Sequence, residues 1–347
     1  MFLRNAWYVA ARSADVGEGF APRRILGEQV VLYRKESGEA VALEDACPHR
    51  KLPLSMGRRA GDVLVCGYHG LTFDPTGKCI GSPTQSRIPP GAKVRSYPIA
   101  DKWGMLWIWM GEPAQADLSE IVAIESFDDR SWGLSSGCPM TCACHYLYLA
   151  DNLLDPTHVA FVHQTSFAGA GTEETAVQVD AEDDGVIVWR WIFDCEVPPY
   201  YAALVKFEGR CDRLQHYEVR YPCVAINKSI FTPAGSGGAD KPLHKQAYVM
   251  ISYHFLTPVD ESTTSYCWLQ HRNTDPADDE ITSRTAAGAR AAFEEDRRVL
   301  EAVHRGMADK STPNINLALD AGALRFRREL HALIERERAP LPTQAQN

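Results

Sequence analysis

Short runs of β-branched and aromatic residues, broken by polar turns, fill the first ~115 positions. QVVLYR (29–34), AVALEDA (40–46), DVLVCG (62–67), LTFD (71–74) and GMLWIWMG (104–111) read as strands. ESGE (36–39), DPTGK (74–78) and PPGA (89–92) break them. Strands this short and close predict a small all-β sandwich or barrel over 1–115. GEPAQADLSEI (111–121) reads as a linker. From about 135 the period changes. HYLYLADNLLDPTHVAFVH (145–163) carries apolar residues at helical spacing. Strand-like runs return at 185–193, 214–221, 245–258 and 263–272, with PAGSGGADKP (233–242) as a loop or hairpin tip. Two helical stretches, 283–307 and 320–339, close the pattern, and the tail 340–347 is expected to fray. The second part, 116–340, thus predicts an antiparallel sheet with segregated helices, and the whole chain is α+β.

Composition changes this picture little. Hydrophobic residues make up 45% and charged residues 23%, ordinary values for a globular chain with a proper core. The net charge of −9 argues against nucleic acid as the main partner, because phosphate neutralisation needs a basic face. The start, MFLRNAWYVAARSADVG, lacks the long apolar region of a secretory leader. No window approaches the ~18 uninterrupted apolar residues of a membrane span. A cytoplasmic protein is expected. Its ten cysteines then predict reduced thiols or metal ligands rather than disulfides.

Two Cys/His pairs stand out. Cys47-x-His49 lies in CPHR and Cys66-x-x-His69 in CGYHG, with sixteen residues between the pairs. A zinc ribbon normally uses Cys-x(2–4)-Cys halves. Here each half mixes one sulfur and one nitrogen. That is the set a Rieske [2Fe–2S] centre needs, with two thiolates on one iron and two imidazoles on the other. Zinc, or four unrelated residues, is the alternative. The other eight cysteines follow no such spacing and read as packed thiols.

A second constellation lies at DNLLDPTHVAFVH (151–163). Asp155 and His158 are three apart and share a helix face. His158 and His163 are five apart, roughly 140° around a helix, so the helix is either widened or ends between them. Two histidines and one carboxylate make the facial triad of non-haem iron that activates O₂. The carboxylate must come from elsewhere. In AAFEEDRRVLEAV, Asp296 lies three residues from both Phe293 and Val299 and so projects on the apolar side. Glu294 and Glu295 are expected to face solvent.

RNAWYVAA (4–11), CPHR, YHGLTFD (68–74), DNLLDPTHVAFVH, AFEEDRRVLEA (292–302) and LDAG (319–322) together resemble the Rieske non-haem iron oxygenases. Within them the chain looks closest to the group of vanillate O-demethylase, dicamba monooxygenase and toluenesulfonate methyl-monooxygenase. The resemblance implies a Rieske domain followed by a helix-grip-like catalytic domain. It implies that Cys47, His49, Cys66 and His69 hold the cluster and that His158, His163 and Asp296 hold the iron. Asp155 becomes the carboxylate bridging an iron-ligating histidine to a cluster-ligating histidine, such as His69, of the next subunit. Asn152 falls where the family places an asparagine near the iron. His254 matches the dicamba enzyme's histidine for its substrate carboxylate. Asn227 and Lys206, read from their place on strand-like runs and not from the resemblance, are further candidate anion contacts. Phe167, Trp268, Phe161, Tyr200 and Phe207 are candidate apolar walls.

The same resemblance implies hydroxylation of a methyl or methoxy group on an anionic aromatic compound by a head-to-tail trimer. Electrons would come from NAD(P)H through a separate reductase carrying FMN and a [2Fe–2S] cluster, because no GxGxxG dinucleotide fingerprint occurs here. Two rival readings share part of the pattern. A ring-dihydroxylating dioxygenase has both metal motifs, but its large subunit is typically longer. A Rieske electron carrier would need no mononuclear iron.

Overall fold

In the computed structural model, which describes residues 1–169, 171–309, 311 and 313–339, the N-terminal runs pair into three small antiparallel sheets. The first sets Trp7–Arg12 and Ile99–Lys102 on either side of Met105–Trp109. The second orders Ala21–Ile25, Glu28–Arg34, Ala40–Glu44 and Ser96–Tyr97. The third orders Arg58–Ala60, Val63–Val65, Thr72–Phe73 and Cys79–Gly81. Val31, Tyr33, Leu43, Leu64 and Phe73 form a core that also buries Cys47 and Cys66. The expected tail lies outside the described residues.

The chain divides into two compact units, Met1–Val122 with Thr257–Glu261, and Ala123–Leu256 with Ser262–Asn347. The first unit therefore runs past residue 115. The stretch expected as a linker is fastened to it: Trp7 Nε1 donates to Asp117 O at 2.7 Å and Trp103 Nε1 to Val122 O at 2.9 Å. Residues 257–261 join the same unit because Leu26 and Gly27 N–H groups donate to Pro258 and Val259 carbonyls.

The second unit is built on one antiparallel seven-stranded sheet. Its order is Gly133–Cys142, Thr263–Arg272, Tyr248–Asp260, Val224–Pro233, Cys211–Arg220, Gly185–Cys195 and Gln178–Glu182. Alternation puts Tyr217, Asn227, Ser252, His254 and Gln270 on one face, with Asn227 directly across from both Tyr217 and Ser252. This unit's helices among the described residues are, in chain order, α1 (Tyr146–Leu153), α2 (Val159–Val162), α3 (Asp279–Gly306) and α4 (Ala321–Arg338). Asp278 caps α3 by accepting from Ile281 N–H. The buried stripe of α3 runs Thr285, Ala289, Ala292, Phe293, Asp296, Leu300, at helical spacing. Gly322 lets α4 approach the sheet, since a Cβ there would lie 2.3 Å from Val188 Cγ2. No helix among the described residues is long and apolar enough to cross a membrane.

Two expectations need correction. The first is the helix face expected to be shared by Asp155 and His158: the 145–163 stretch holds two helices, and the second does end between His158 and His163, one of the two expected alternatives. The first helix ends at Leu153, with Leu154 as its cap, because Pro156 lacks an N–H and pushes the preceding residue out of helical geometry. Asp155 therefore sits in the turn between α1 and α2 and shares no helix face with His158. The cysteines are also not all thiols. Cys138 and Cys267 are disulfide-bonded, with Cα atoms 4.4 Å apart. A bulge between Gly137 and Met140 sets Cys138 beside Cys267 on the adjoining strand. Of the eight cysteines expected as packed thiols, the other six are buried and free, as are Cys47 and Cys66.

Candidate metal centres and cavity

In the first unit, Cys47 and Cys66 begin two copies of one turn. Cys47 N–H donates to Leu52 O and Lys51 N–H returns to Cys47 O, at 2.9 and 2.8 Å. Cys66 N–H donates to Leu71 O and Gly70 N–H returns to Cys66 O, at 2.8 and 3.1 Å. Both turns close through left-handed backbone at the fifth position, Lys51 (φ 59°) and Gly70 (φ 71°). Burial pushes the Cys47 thiol up, and the adjacent Cys66 thiol adds to the shift. At the outer end His49 and His69 are exposed, and their Nδ1 atoms face each other 3.1 Å apart. Two nitrogens held about 2.1 Å from one ion lie about 3.0–3.4 Å apart. The four side chains thus offer two sulfurs on the buried side and two converging nitrogens on the exposed side. This donor set fits a [2Fe–2S] cluster with one all-sulfur iron and one imidazole iron.

In the second unit, the break between α1 and α2 turns His158 and His163 toward α3. His163 Nε2 lies 3.1 Å and His158 Nε2 3.6 Å from Asp296 Oδ1. All three donor atoms fall within 4.8 Å of one another, which suits one ion. Asp296 is nearly buried, as its place in the α3 stripe predicts. Each donor is aimed by a second group. His158 Nδ1–H donates to Asp155 O at 2.5 Å. Asn152 Nδ2 donates to Asp296 Oδ1 at 3.3 Å. His163 Nδ1–H donates to Glu295 Oε2 at 2.7 Å. Glu295, expected to face solvent, does keep 39% of its side chain exposed, yet one carboxylate oxygen reaches this imidazole. Its neighbour on the ligand helix carries the signal in hindsight, since one residue before Asp296 is close enough to reach the same imidazole. Burial lowers the His163 pKa, but Asp296 and Glu295 outweigh it and the net shift is upward. A bound cation would displace that proton.

Asp155 keeps its carboxylate on the turn itself. Oδ1 accepts from Thr157 N–H at 2.7 Å and Oδ2 from His158 N–H at 3.3 Å. A cavity of about 60 Å³ opens beside the triad, lined by Phe167, Tyr201, Phe293, Asn227, Ser252, His254 and Gln270 among others. His254 is fully enclosed, and burial pushes its pKa down to about 3. Its Nδ1 is 2.7 Å from Tyr266 Oη, while its Nε2 has no partner among the described residues. Asn227 Oδ1 is likewise buried and unpartnered. Trp268, expected as a wall, is not on the cavity. Its ring packs against Phe293 at 5.5 Å, two positions along the same strand face from the lining residue Gln270. Tyr200 is not on the cavity either and stacks on Phe167 at 4.1 Å. Lys206 turns away to pair with Asp275 at 2.7 Å, and Phe161 is exposed. Phe207 packs against a core cluster around Tyr201 and Phe231. Ser252 and Gln270 were not singled out from sequence, since a small polar residue on a strand carries no period of its own.

Known proteins bear on both sites. Residues 6–98 match the Rieske [2Fe-2S] domain, and residues 142–336 match the vanillate O-demethylase oxygenase C-terminal domain. The chain is 35% identical to the toluene-4-sulfonate monooxygenase system iron-sulfur subunit of Comamonas testosteroni, over 97% of this chain and 98% of that one. It is 32% identical to the vanillate O-demethylase oxygenase subunit of a Pseudomonas species, over 97% and 96%. The crystal structure of dicamba monooxygenase bound to 3,6-dichlorosalicylic acid superposes with a TM-score of 0.90 at 30% identity, covering 98% of this chain and 99% of that one. The cofactors of such enzymes are a Rieske cluster and a mononuclear iron that uses O₂, and the donor sets above fit both. Oxygenase components of this kind work with a reductase and an aromatic substrate. The chain belongs to the Rieske non-haem iron oxygenases, as the oxygenase component of a monooxygenase of the vanillate O-demethylase type.

Proposed function

We propose that this chain hydroxylates a methyl or methoxy substituent of an aromatic carboxylate or sulfonate. The observation that carries the substrate reading is one unpartnered buried polar atom, His254 Nε2, in a cavity that also meets His158, His163 and Asp296; Asn227 Oδ1, also unpartnered there, is an acceptor and suits a donor group of the substrate rather than its anion. A buried polar atom without a partner is costly, so these two await a ligand. With Tyr266 Oη–H donating to Nδ1, neutral His254 presents Nε2–H, a donor suited to an anionic oxygen. Phe167, Tyr201 and Phe293 supply apolar walls for a ring and exclude water.

When bound, the iron and the cluster supply the O₂ and one-electron chemistry that side chains lack. The chain's own residues do the rest. His158, His163 and Asp296 hold the iron, Cys47, His49, Cys66 and His69 hold the cluster, and Glu295, Asn152 and the Asp155 carbonyl fix the iron donors' orientation. A hydroxylated methoxy group then collapses to a phenol and formaldehyde, whereas a hydroxylated methyl group remains as the alcohol. The exposed His49 and His69 edge supports delivery of the electron to another chain. We read the assembly as a head-to-tail trimer in the cytoplasm, with Asp155 accepting from a cluster histidine of the adjacent subunit. NAD(P)H electrons would arrive through a separate FMN and [2Fe–2S] reductase.

A panel of methyl- and methoxy-substituted aromatic acids, sulfonates and neutral isosteres, run with a generic reductase, tests the reading. Anionic members should yield formaldehyde or benzylic alcohol. His254→Ala should raise KM for them about 10–100-fold, the loss of one hydrogen bond to a charged group, with kcat little changed. A preference for neutral isosteres, or a cis-dihydrodiol product, would contradict it.

A further inference from the structure

Arg190 lies mid-strand in Gly185–Cys195 and is only 2% exposed. No step above uses it. Its guanidinium reaches three separate segments. Nε donates to Gln215 Oε1 on the adjoining strand, directly across the ladder, at 2.8 Å. Nη1 donates to Thr175 O at 2.8 Å, and Nη2 to Pro156 O at 2.9 Å. All three acceptors are uncharged. Burying a cation against neutral acceptors is unfavourable, and a methionine or leucine would fill the space at lower cost. The guanidinium supplies something an apolar side chain cannot. The turn between α1 and α2 has left the helical ladder, and Pro156 O is a buried carbonyl there that needs a donor. Pro156 stands between Asp155 and the Thr157–His158 pair, so the bond fixes the backbone on which both functional side chains are mounted. Thr175 belongs to a second segment, anchored by its own Oγ1 on Gly171 O at 2.8 Å. One planar fork therefore ties the sheet to two loops at once, a geometry that a lysine's single ammonium does not reproduce.

We propose that Arg190 is a positioning residue for the mononuclear iron. It holds the Asp155–His158 turn where His158 Nε2 converges with His163 and Asp296. The proposal rests on His158 being an iron ligand. Arg190→Met keeps the volume and removes all donors; Arg190→Lys keeps the cation and removes the fork. After selective removal of the mononuclear iron, Fe(II) is titrated back anaerobically into wild type and both variants, with the cluster's visible spectrum as the reporter of folding. Both variants should keep that spectrum and bind Fe(II) about 10–100-fold more weakly, the usual effect of removing a group that orients a metal ligand. Wild-type Fe(II) affinity in either folded variant overturns the proposal. Should Arg190→Met fail to accumulate, Arg190→Lys decides on the same two outcomes. A wild-type chain that takes up no Fe(II) at this site would instead remove the iron assignment of His158, and the proposal with it.

Discussion

Replacing His158 with alanine is expected to remove one iron per chain and drop turnover to background, while leaving the cluster's red-brown colour intact. The triad's donor atoms lie within 4.8 Å of one another, the two histidines at either end of α2 and Asp296 on α3. Losing His158 leaves one imidazole and one carboxylate, too few donors to hold a divalent ion against water. The fold should tolerate the change. Asp296 keeps Asn152 Nδ2 and His163 Nε2, and the alanine forfeits only the bond from Nδ1–H to Asp155 O, worth about 1 kcal/mol, while its backbone N–H still reaches Asp155 Oδ2. Iron assay and the visible spectrum on the same sample check the result. Retention of all the iron would remove His158 from the ligand set.

Asp155→Asn is the second large effect. Both metals should remain bound, yet turnover should fall by at least about 100-fold. The carboxylate has two jobs that the substitution separates. As a cap it accepts from Thr157 and His158 N–H groups, and an amide oxygen can still serve the closer of them. As a bridge to a cluster histidine of another chain it must accept and carry charge, which an amide does not. A cap alone predicts a small loss of stability with normal kcat. The bridge predicts a normal iron count, a normal cluster spectrum and slow oxidation of the reduced cluster by O₂ plus substrate. Normal turnover would leave Asp155 with capping only.

Where the sequence was legible, the signal was local. Cys47, His49, Cys66 and His69 sit two or three residues apart within each half, so spacing alone exposes them. Asp296 is an acid at an apolar position of a long amphipathic helix, and α3 indeed buries it. What escaped depends on tertiary placement. Glu295 reads as a solvent-facing acid until His163 is brought across from another element at 2.7 Å. Trp268 has the composition of a pocket wall, but its ring packs against Phe293 and does not line the cavity. The Cys138–Cys267 pair is separated by 129 positions and is joined only by strand pairing at a bulge. Arg190 carries no motif at all, because its acceptors are backbone carbonyls and one amide. The helix break at Pro156 lies between these cases. The proline was visible, but the displacement of Asp155 into the turn follows from sterics that a period count does not weigh.

The central claim is that a sulfur-bridged diiron relay and a lone O₂-activating iron share this polypeptide. Metal analysis of anaerobically purified wild-type protein, paired with low-temperature EPR before and after dithionite, tests it most directly. Three irons per chain and a rhombic signal that appears on reduction are expected. Zinc in place of iron, or no paramagnetic centre after reduction, would contradict the account.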